Sequence, residues 1–338
     1  MRRILVIRSG ALGDFVLTLP AIRALREAAP RAHVEIVGRT ATLEVAHERY
    51  YADAIRSIDR ADFAPLFAPE GEASPEVVAY LTGFDLILSY LPDRDGLFRR
   101  NLERVGVRRL VCGGPIPAPD EVRHIVDRLL EPVEGAGIPV GDRTPRVFLT
   151  EEDGRTAEAF LKGRGISEFD PFVVIHPGSG GARKCWPAGR FARVADEVQR
   201  TTGARVVVPQ GPADEQVVAQ MVSEMVVAPV VAGGLPLPVL AGVLARCRAY
   251  VGNDSGVTHL SAASGAPVVA LFGPTDPRVW GPRGERVRTV QGDAELPEER
   301  RLEAIGEEEV IRAVKEIENK PNPPSPFPEG EGGATYSL

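Results

Sequence analysis

Residues able to do chemistry gather at four points in this sequence, each where an apolar run gives way to glycine. The first is Arg8-Ser9-Gly10-Ala11-Leu12-Gly13-Asp14. Its glycines permit a tight turn and a close approach of backbone to ligand. Asp14 reads two ways there: as a helix N-cap, or as a carboxylate on the carboxyl edge of a sheet, where it suits general-base work. Arg8 stands where the dinucleotide fingerprint G-x-G-x-x-G needs glycine, so that motif is absent and a dehydrogenase is disfavoured.

The second point is His176-Pro177-Gly178-Ser179-Gly180-Gly181-Ala182-Arg183-Lys184-Cys185-Trp186-Pro187. A glycine- and serine-rich loop followed by two cations suits a phosphate, through backbone N–H groups and Lys184. It also reads as a surface loop with a solvated basic pair. Arg183 and Cys185 flank the lysine where a Walker A loop needs glycine and Ser/Thr. The third point is Asn253-Asp254-Ser255-Gly256, which opens a helix of small residues with His259 four residues past Ser255. Free N–H groups at such a helix start attract an anion. Asp254 would repel a phosphate, so it either caps the helix or bonds neutral hydroxyls such as those of a sugar. His259 is either a packing histidine or a ligand contact. Gly273-Pro274-Thr275-Asp276 ends the next strand on the same edge, where turn chemistry alone accounts for it. The fourth point is Pro209-Gln210-Gly211-Pro212-Ala213-Asp214-Glu215. Glu215 either complements a helix dipole or holds ribose hydroxyls.

The elements that must position these groups alternate. Strand-like runs at residues 4–7, 33–38, 54–58, 84–90 and 107–111 accompany a helix from Asp14 whose apolar residues Val16, Leu19, Ile22 and Leu25 share one face. A charged stretch near residues 140–170, with a helix over 151–161, marks a domain boundary. Strands are then expected from Pro171, at 204–209, 226–231, 249–252 and 267–272, separated by helices at 191–200, 215–225, 237–246 and 257–263. This is α/β alternation with parallel sheets, twice over. Two such domains imply a ligand cleft at the carboxyl ends of the strands. The domains are read as residues 1–150 and 151–319, with the Pro/Gly-rich tail 320–338 read as disordered. A donor nucleotide on the second domain and an acceptor on the first follow as a hypothesis.

Composition sets outer limits. The 338 residues are enough for two domains, and 43% hydrophobic with 26% charged content fits a soluble protein. A net charge of −7 argues against a nucleic-acid partner. The three cysteines, Cys112, Cys185 and Cys247, show neither disulfide nor zinc spacing and fit a reducing compartment. Cys185 reads as a small buried hydrophobe. No run approaches a membrane span, and no strongly amphipathic basic helix stands out.

Three stretches together resemble glycosyltransferase family 9, the ADP-heptose:lipopolysaccharide heptosyltransferases: ILVIRSGALGDFVLTLPAIRALREAAP, HPGSGGARKCWPAGRFARVADEV with its K-x-W-P step, and VGNDSGVTHLSAASGAPVVALFGPTDPRVWGP. The resemblance runs from residue 1 to about residue 315. It implies a GT-B fold, two facing Rossmann-like domains, and an inverting transfer that needs no metal. It implies Asp14 as catalytic base, with Gly13 and Asp14 at the acceptor. It implies Lys184 as the cation on the leaving diphosphate, and Asp254, Ser255 and Gly256, with His259 beside them, as the loop holding heptose and diphosphate. Ser179 and Gly180 fall at the diphosphate, Glu215 at the ribose, and backbone over 235–237 at the adenine. The implied partners are a nucleotide sugar, ADP-heptose, and a lipid-linked or core oligosaccharide acceptor. The implied setting is the cytoplasm, as a monomer with at most peripheral contact at the inner membrane face, without nucleic acid or a resident cofactor. Two rival readings stand beside it: a GT-B enzyme using another nucleotide sugar, and a non-catalytic GT-B-like binding protein.

Overall fold

The computed structural model describes residues 1–113 and 122–318, so the expected disorder of the tail lies outside the described residues. The chain divides into two compact units, Met1–Arg143 and a second that begins at Thr144. The division precedes the first helix of the second unit because residues 144–150 already belong there: the Val147 N–H donates to the Ala263 carbonyl.

In the first unit the elements run β1 (Arg3–Arg8), α1 (Leu12–Ala28), β2 (His33–Gly38), α2 (Thr40–Leu43), β3 (Ala54–Ser57), α3 (Pro75–Thr82), β4 (Leu86–Ser89), α4 (Leu97–Val105), β5 (Leu110–Cys112) and α5 (Ile125–Gly135). The strands form a five-stranded sheet in the order β3-β2-β1-β4-β5, and every pairing is parallel. Ile4 lies opposite both Val34 and Leu86. A strand flanked on both sides and covered on both faces must be apolar throughout, and residues 4–7 are fully buried or nearly so. One face packs Leu5, Ile7, Val37 and Ile87 with Leu81, Phe84, Phe98 and Leu102.

The second unit runs α6 (Glu151–Gly163), β6 (Phe172–His176), α7 (Ala188–Thr202), β7 (Arg205–Gln210), α8 (Glu215–Glu224), β8 (Val230–Gly233), α9 (Leu237–Leu244), β9 (Ala249–Asn253), α10 (Gly256–Ala263), β10 (Val268–Phe272), α11 (Pro277–Trp280), β11 (Val287–Gln291) and α12 (Glu307–Glu318). Its six-stranded sheet, β11-β10-β9-β6-β7-β8, is again parallel throughout. The core sets Val173, Ile175, Val206, Val208, Val251, Val269 and Leu271 against Phe191 and Val194 of α7 and Val310 and Val314 of α12. In both units the chain leaves a central strand pair in opposite directions: β1 and β4 in the first, β6 and β9 in the second. Such switch points open a crevice at the carboxyl ends of the two strands.

Several sequence expectations change. The strand expected at residues 226–231 is only β8, starting at Val230. The Val226 and Val227 N–H groups donate to the Asp196 carboxylate, and both side chains are exposed. The strand expected from Val107 starts at Leu110, because Gly106 ends α4 with φ 93° and the Val107 N–H turns back to Leu102. The helix expected from Asp14 begins at Leu12. A basic amphipathic helix does exist: α4 carries Arg99, Arg100 and Arg104, and its apolar residues Phe98 and Leu102 are buried in the first unit. Cys185 is half-buried rather than buried, with burial raising its thiol pKa. No helix among the described residues is long and apolar enough to cross a membrane.

Trp186 is the largest fully buried side chain. Its indole meets Phe191 edge-on at 5.0 Å and donates to the Ile305 carbonyl. Trp186→Ala removes that volume, while the Ile305 carbonyl keeps its bond from Arg190 Nη1 at 2.7 Å, so the cavity alone should lower unfolding free energy by about 3–5 kcal/mol. Denaturant midpoints with unchanged slope are the measurement.

Candidate active site

The first candidate group sits at the end of β1. Gly10 has φ 141°, and a Cβ there would lie 2.9 Å from Asp14 Oδ2. The turn therefore excludes a side chain at residue 10 and admits the Asp14 carboxylate in its place. Asp14 is not the N-cap, which is Ala11. It stands in the first turn of α1 and its Oδ2 accepts the Ala11 N–H at 3.1 Å. Its side chain keeps 40% of its exposure, and Arg8 Nη2 lies 3.4 Å from Oδ1. Arg8 itself is buried, and its Nη2 also donates to the Asp14 carbonyl at 3.2 Å. Burial pulls the Arg8 pKa down while the Asp14 charge opposes that pull. Gly13 is buried beside Asp14 in the same turn.

The second group forms at the switch point between β6 and β9. Asn253, the last residue of β9, is fully buried. Its Oδ1 accepts the Trp186 N–H at 2.9 Å and its Nδ2 donates to the Pro177 carbonyl at 2.8 Å. One amide thus ties both ends of the loop over 177–186. Asp254, 8% exposed, follows it. Lys184 Nζ donates to Asp254 Oδ2 at 2.6 Å, the Thr275 hydroxyl donates to the same oxygen at 2.7 Å, and the Ser179 hydroxyl donates to the Asp254 carbonyl at 2.7 Å. His259 Nε2 stands 4.0 Å from Oδ1. Lys184 nonetheless keeps 37% of its side-chain exposure. Its ammonium remains able to meet a ligand while a nearly buried carboxylate fixes its place.

Asp254 is therefore not the helix cap. Ser255 is the cap, its hydroxyl accepting the Thr258 N–H. Thr258 is held in turn by the Tyr250 hydroxyl at 3.0 Å and by the Asn253 carbonyl. These bonds set the start of α10, and with it Gly256, beside Lys184's partner. Gly180 is exposed, and the loop makes a single tight turn over Ala182–Lys184.

Glu215 is exposed as the first residue of α8. The neighbouring Asp214 carries the contacts: its Oδ2 lies 3.3 Å from His176 Nε2 and accepts the Gly211 N–H at 3.0 Å. A Cβ on Gly178 would lie 2.0 Å from Asp214 Oδ1, so glycine is required there. The His176–Asp214 pair joins the β6 and β7 strand ends, and so places Glu215 on the same edge as Lys184. Residues 235 and 236 lie between β8 and α9, and Leu237 is the first residue of α9. Among the described residues no three His, Cys, Asp or Glu side chains gather to hold a metal ion. Sequence reading singled out Ser179, Lys184, Asp254, Ser255, Gly256 and His259, and all cluster here. It missed Asn253 and the His176–Asp214 pair, although H-P-G after one strand and N-D-S-G after another mark both places.

Burial drives the Asp214 carboxyl upward, but the His176 bond and charge and the Gly211 N–H outweigh it and hold it below the ordinary range. A depressed carboxyl stabilises the fold above its unfolded value of about 3.9, and the contribution fades as pH falls through the lower folded value. Asp214→Asn should therefore unfold at lower denaturant than wild type at neutral pH. The gap should shrink as pH falls below about 3.9; midpoints across that range check it.

The model of glycosyltransferase family 9 (heptosyltransferase) matches residues 116–307. Lipopolysaccharide heptosyltransferase 3 of Escherichia coli K12 is 24% identical over 294 residues, covering 81% of this chain and 83% of that protein. A glycosyl transferase family 9 structure from Veillonella parvula superposes with a TM-score of 0.77 at 26% identity, covering 94% of this chain and 97% of that one. Escherichia coli heptosyltransferase WaaC with ADP-2-deoxy-2-fluoro heptose gives a TM-score of 0.66 at 18% identity, covering 93% and 99%. Two parallel α/β units, with reactive side chains at their switch points, accordingly place this chain on the GT-B fold: it belongs to glycosyltransferase family 9, the heptosyltransferases.

Proposed function

We propose that this glycosyltransferase moves a heptose from ADP-heptose to a hydroxyl of a lipopolysaccharide-core acceptor, with inversion and without a metal. The observation that carries the reading is the Ser179–Lys184–Asp254 cluster at the β6/β9 switch point. A cation beside a helix start suits a diphosphate, and a carboxylate suits sugar hydroxyls. The heptose analogue named with the WaaC structure supports the donor. On this reading the second unit, which begins at Thr144, holds the donor and the first, Met1–Arg143, holds the acceptor. Ser179, Gly180, Ser255 and Gly256 face the diphosphate, Asp254 and His259 the heptose, Glu215 the ribose, and the backbone over 235–237 the adenine.

The acceptor oxygen attacks the anomeric carbon as the bond to the diphosphate breaks. Negative charge grows on the leaving group, where Lys184 and the start of α10 oppose it. Asp14, with Gly13 at the acceptor, takes the hydroxyl proton. The base is carried by one unit and the leaving-group cation by the other. Work at the inner face of the cytoplasmic membrane, as a monomer with only peripheral contact, completes the proposal.

Asp14→Asn should lower kcat by about 10²–10⁴-fold with ADP affinity kept. Activity with truncated lipopolysaccharide, alongside calorimetric titration of ADP, measures both. Lys184→Ala should lose turnover and most of the rise in Tm that ADP gives wild type. A Tm rise with UDP or GDP instead of ADP would assign another donor. Turnover unchanged by a chelator is expected; loss restored by a divalent ion would overturn metal independence.

A further inference from the structure

We infer that Thr275 is a positioning residue for the donor sugar, acting through Asp254; the inference rests on the reading that Asp254 holds the sugar. Two donors meet at one carboxylate oxygen: Lys184 Nζ at 2.6 Å and Thr275 Oγ1 at 2.7 Å, both on Asp254 Oδ2. A carboxylate oxygen has about two lone-pair directions for strong hydrogen bonds. Oδ2 is thus filled by protein. Oδ1 takes neither bond, and His259 Nε2 is 4.0 Å away, beyond hydrogen-bond reach. The carboxylate is therefore oriented: one oxygen is turned to the protein, the other left for ligand hydroxyls.

Lys184 alone is a poor anchor for that orientation. Its side chain is 37% exposed, on a long flexible stem, and a diphosphate would compete for its ammonium. When the ammonium turns to a phosphate, the Thr275 bond is what still holds Oδ2. The fold makes that bond short and rigid. β10 pairs with β9 in a register that sets Leu271 opposite Asn253, so Asp254 and the turn after Phe272 leave the sheet side by side. The turn is pinned on both sides of Thr275: a Cβ on Gly273 would meet Leu302 at 2.5 Å, and Asp276 caps α11 by accepting the Arg278 N–H. A threonine hydroxyl loses little freedom in such a place.

The role separates sugar from nucleotide. Thr275 should matter for ADP-heptose, whose heptose reaches Asp254, and little for ADP. The test is calorimetric titration of the full chain, without acceptor, with ADP and with ADP-heptose. Thr275→Val should weaken ADP-heptose about 10-fold, the scale of one lost bond to a charged group, and change ADP by less than about 2-fold. Thr275→Ser should restore the wild-type ratio. Thr275→Ala gives the same comparison if the valine variant does not fold. Equal losses for both ligands, or no loss for either while Asp254→Asn weakens ADP-heptose selectively, overturn the inference and leave the Asp254 reading standing. An unchanged ADP-heptose affinity in Asp254→Asn overturns that reading and the inference with it.

Discussion

The second unit of this molecule hangs on two adjacent side chains at the end of one strand. Asn253 ends β9, next to β6 in the sheet, and Asp254 follows it. Together they bind the loop that leaves β6 at four places: Pro177, Ser179, Lys184 and Trp186. A ten-residue loop rich in glycine has large conformational freedom to lose. Here two buried polar residues, each bonded to the loop, remove most of it. The cost of burying the Asp254 charge is offset only because Lys184 and Thr275 meet it directly.

That arrangement follows from sheet order. A parallel sheet directs every strand end to one edge, and a switch of direction leaves two neighbouring strand ends uncovered by a crossover. Both units have this order, and both place their ionisable residues there. In the first unit a buried arginine leaves β1 and is paired with a half-exposed aspartate. In the second a half-exposed lysine is paired with a buried aspartate. In each, the buried partner fixes the one that can reach a ligand.

The same economy accounts for residues that touch nothing reactive. His176 and Asp214 sit at neighbouring strand ends and join two loops that sequence treats as separate. Gly178 is glycine because Asp214 occupies the space of its Cβ. Trp186 follows Lys184 by two residues and is fully buried, so the chain just past the lysine is anchored in the core.

Much of this was written locally and therefore legible. Apolar runs at strand period, helical spacing and glycine after each run give two α/β units, because burial on both faces of a parallel sheet admits little else at those positions. The reactive residues could be found for the same reason: polar groups and glycines at strand ends have no role in the core. What sequence could not give was partnership. It left Asp254 between cap and sugar ligand, and the structure spends one oxygen on Lys184 and Thr275, from segments 70 and 21 residues away. It assigned Glu215 and passed over Asp214, because only the fold brings His176 within 3.3 Å of the latter. It took residues 226–231 for a strand on their valines, where a side chain from α7 captures the backbone N–H groups first. Local pattern determines which residues must be buried and where the chain must turn; which polar groups meet at those turns is decided by strand order and register, and these are properties of the folded sheet.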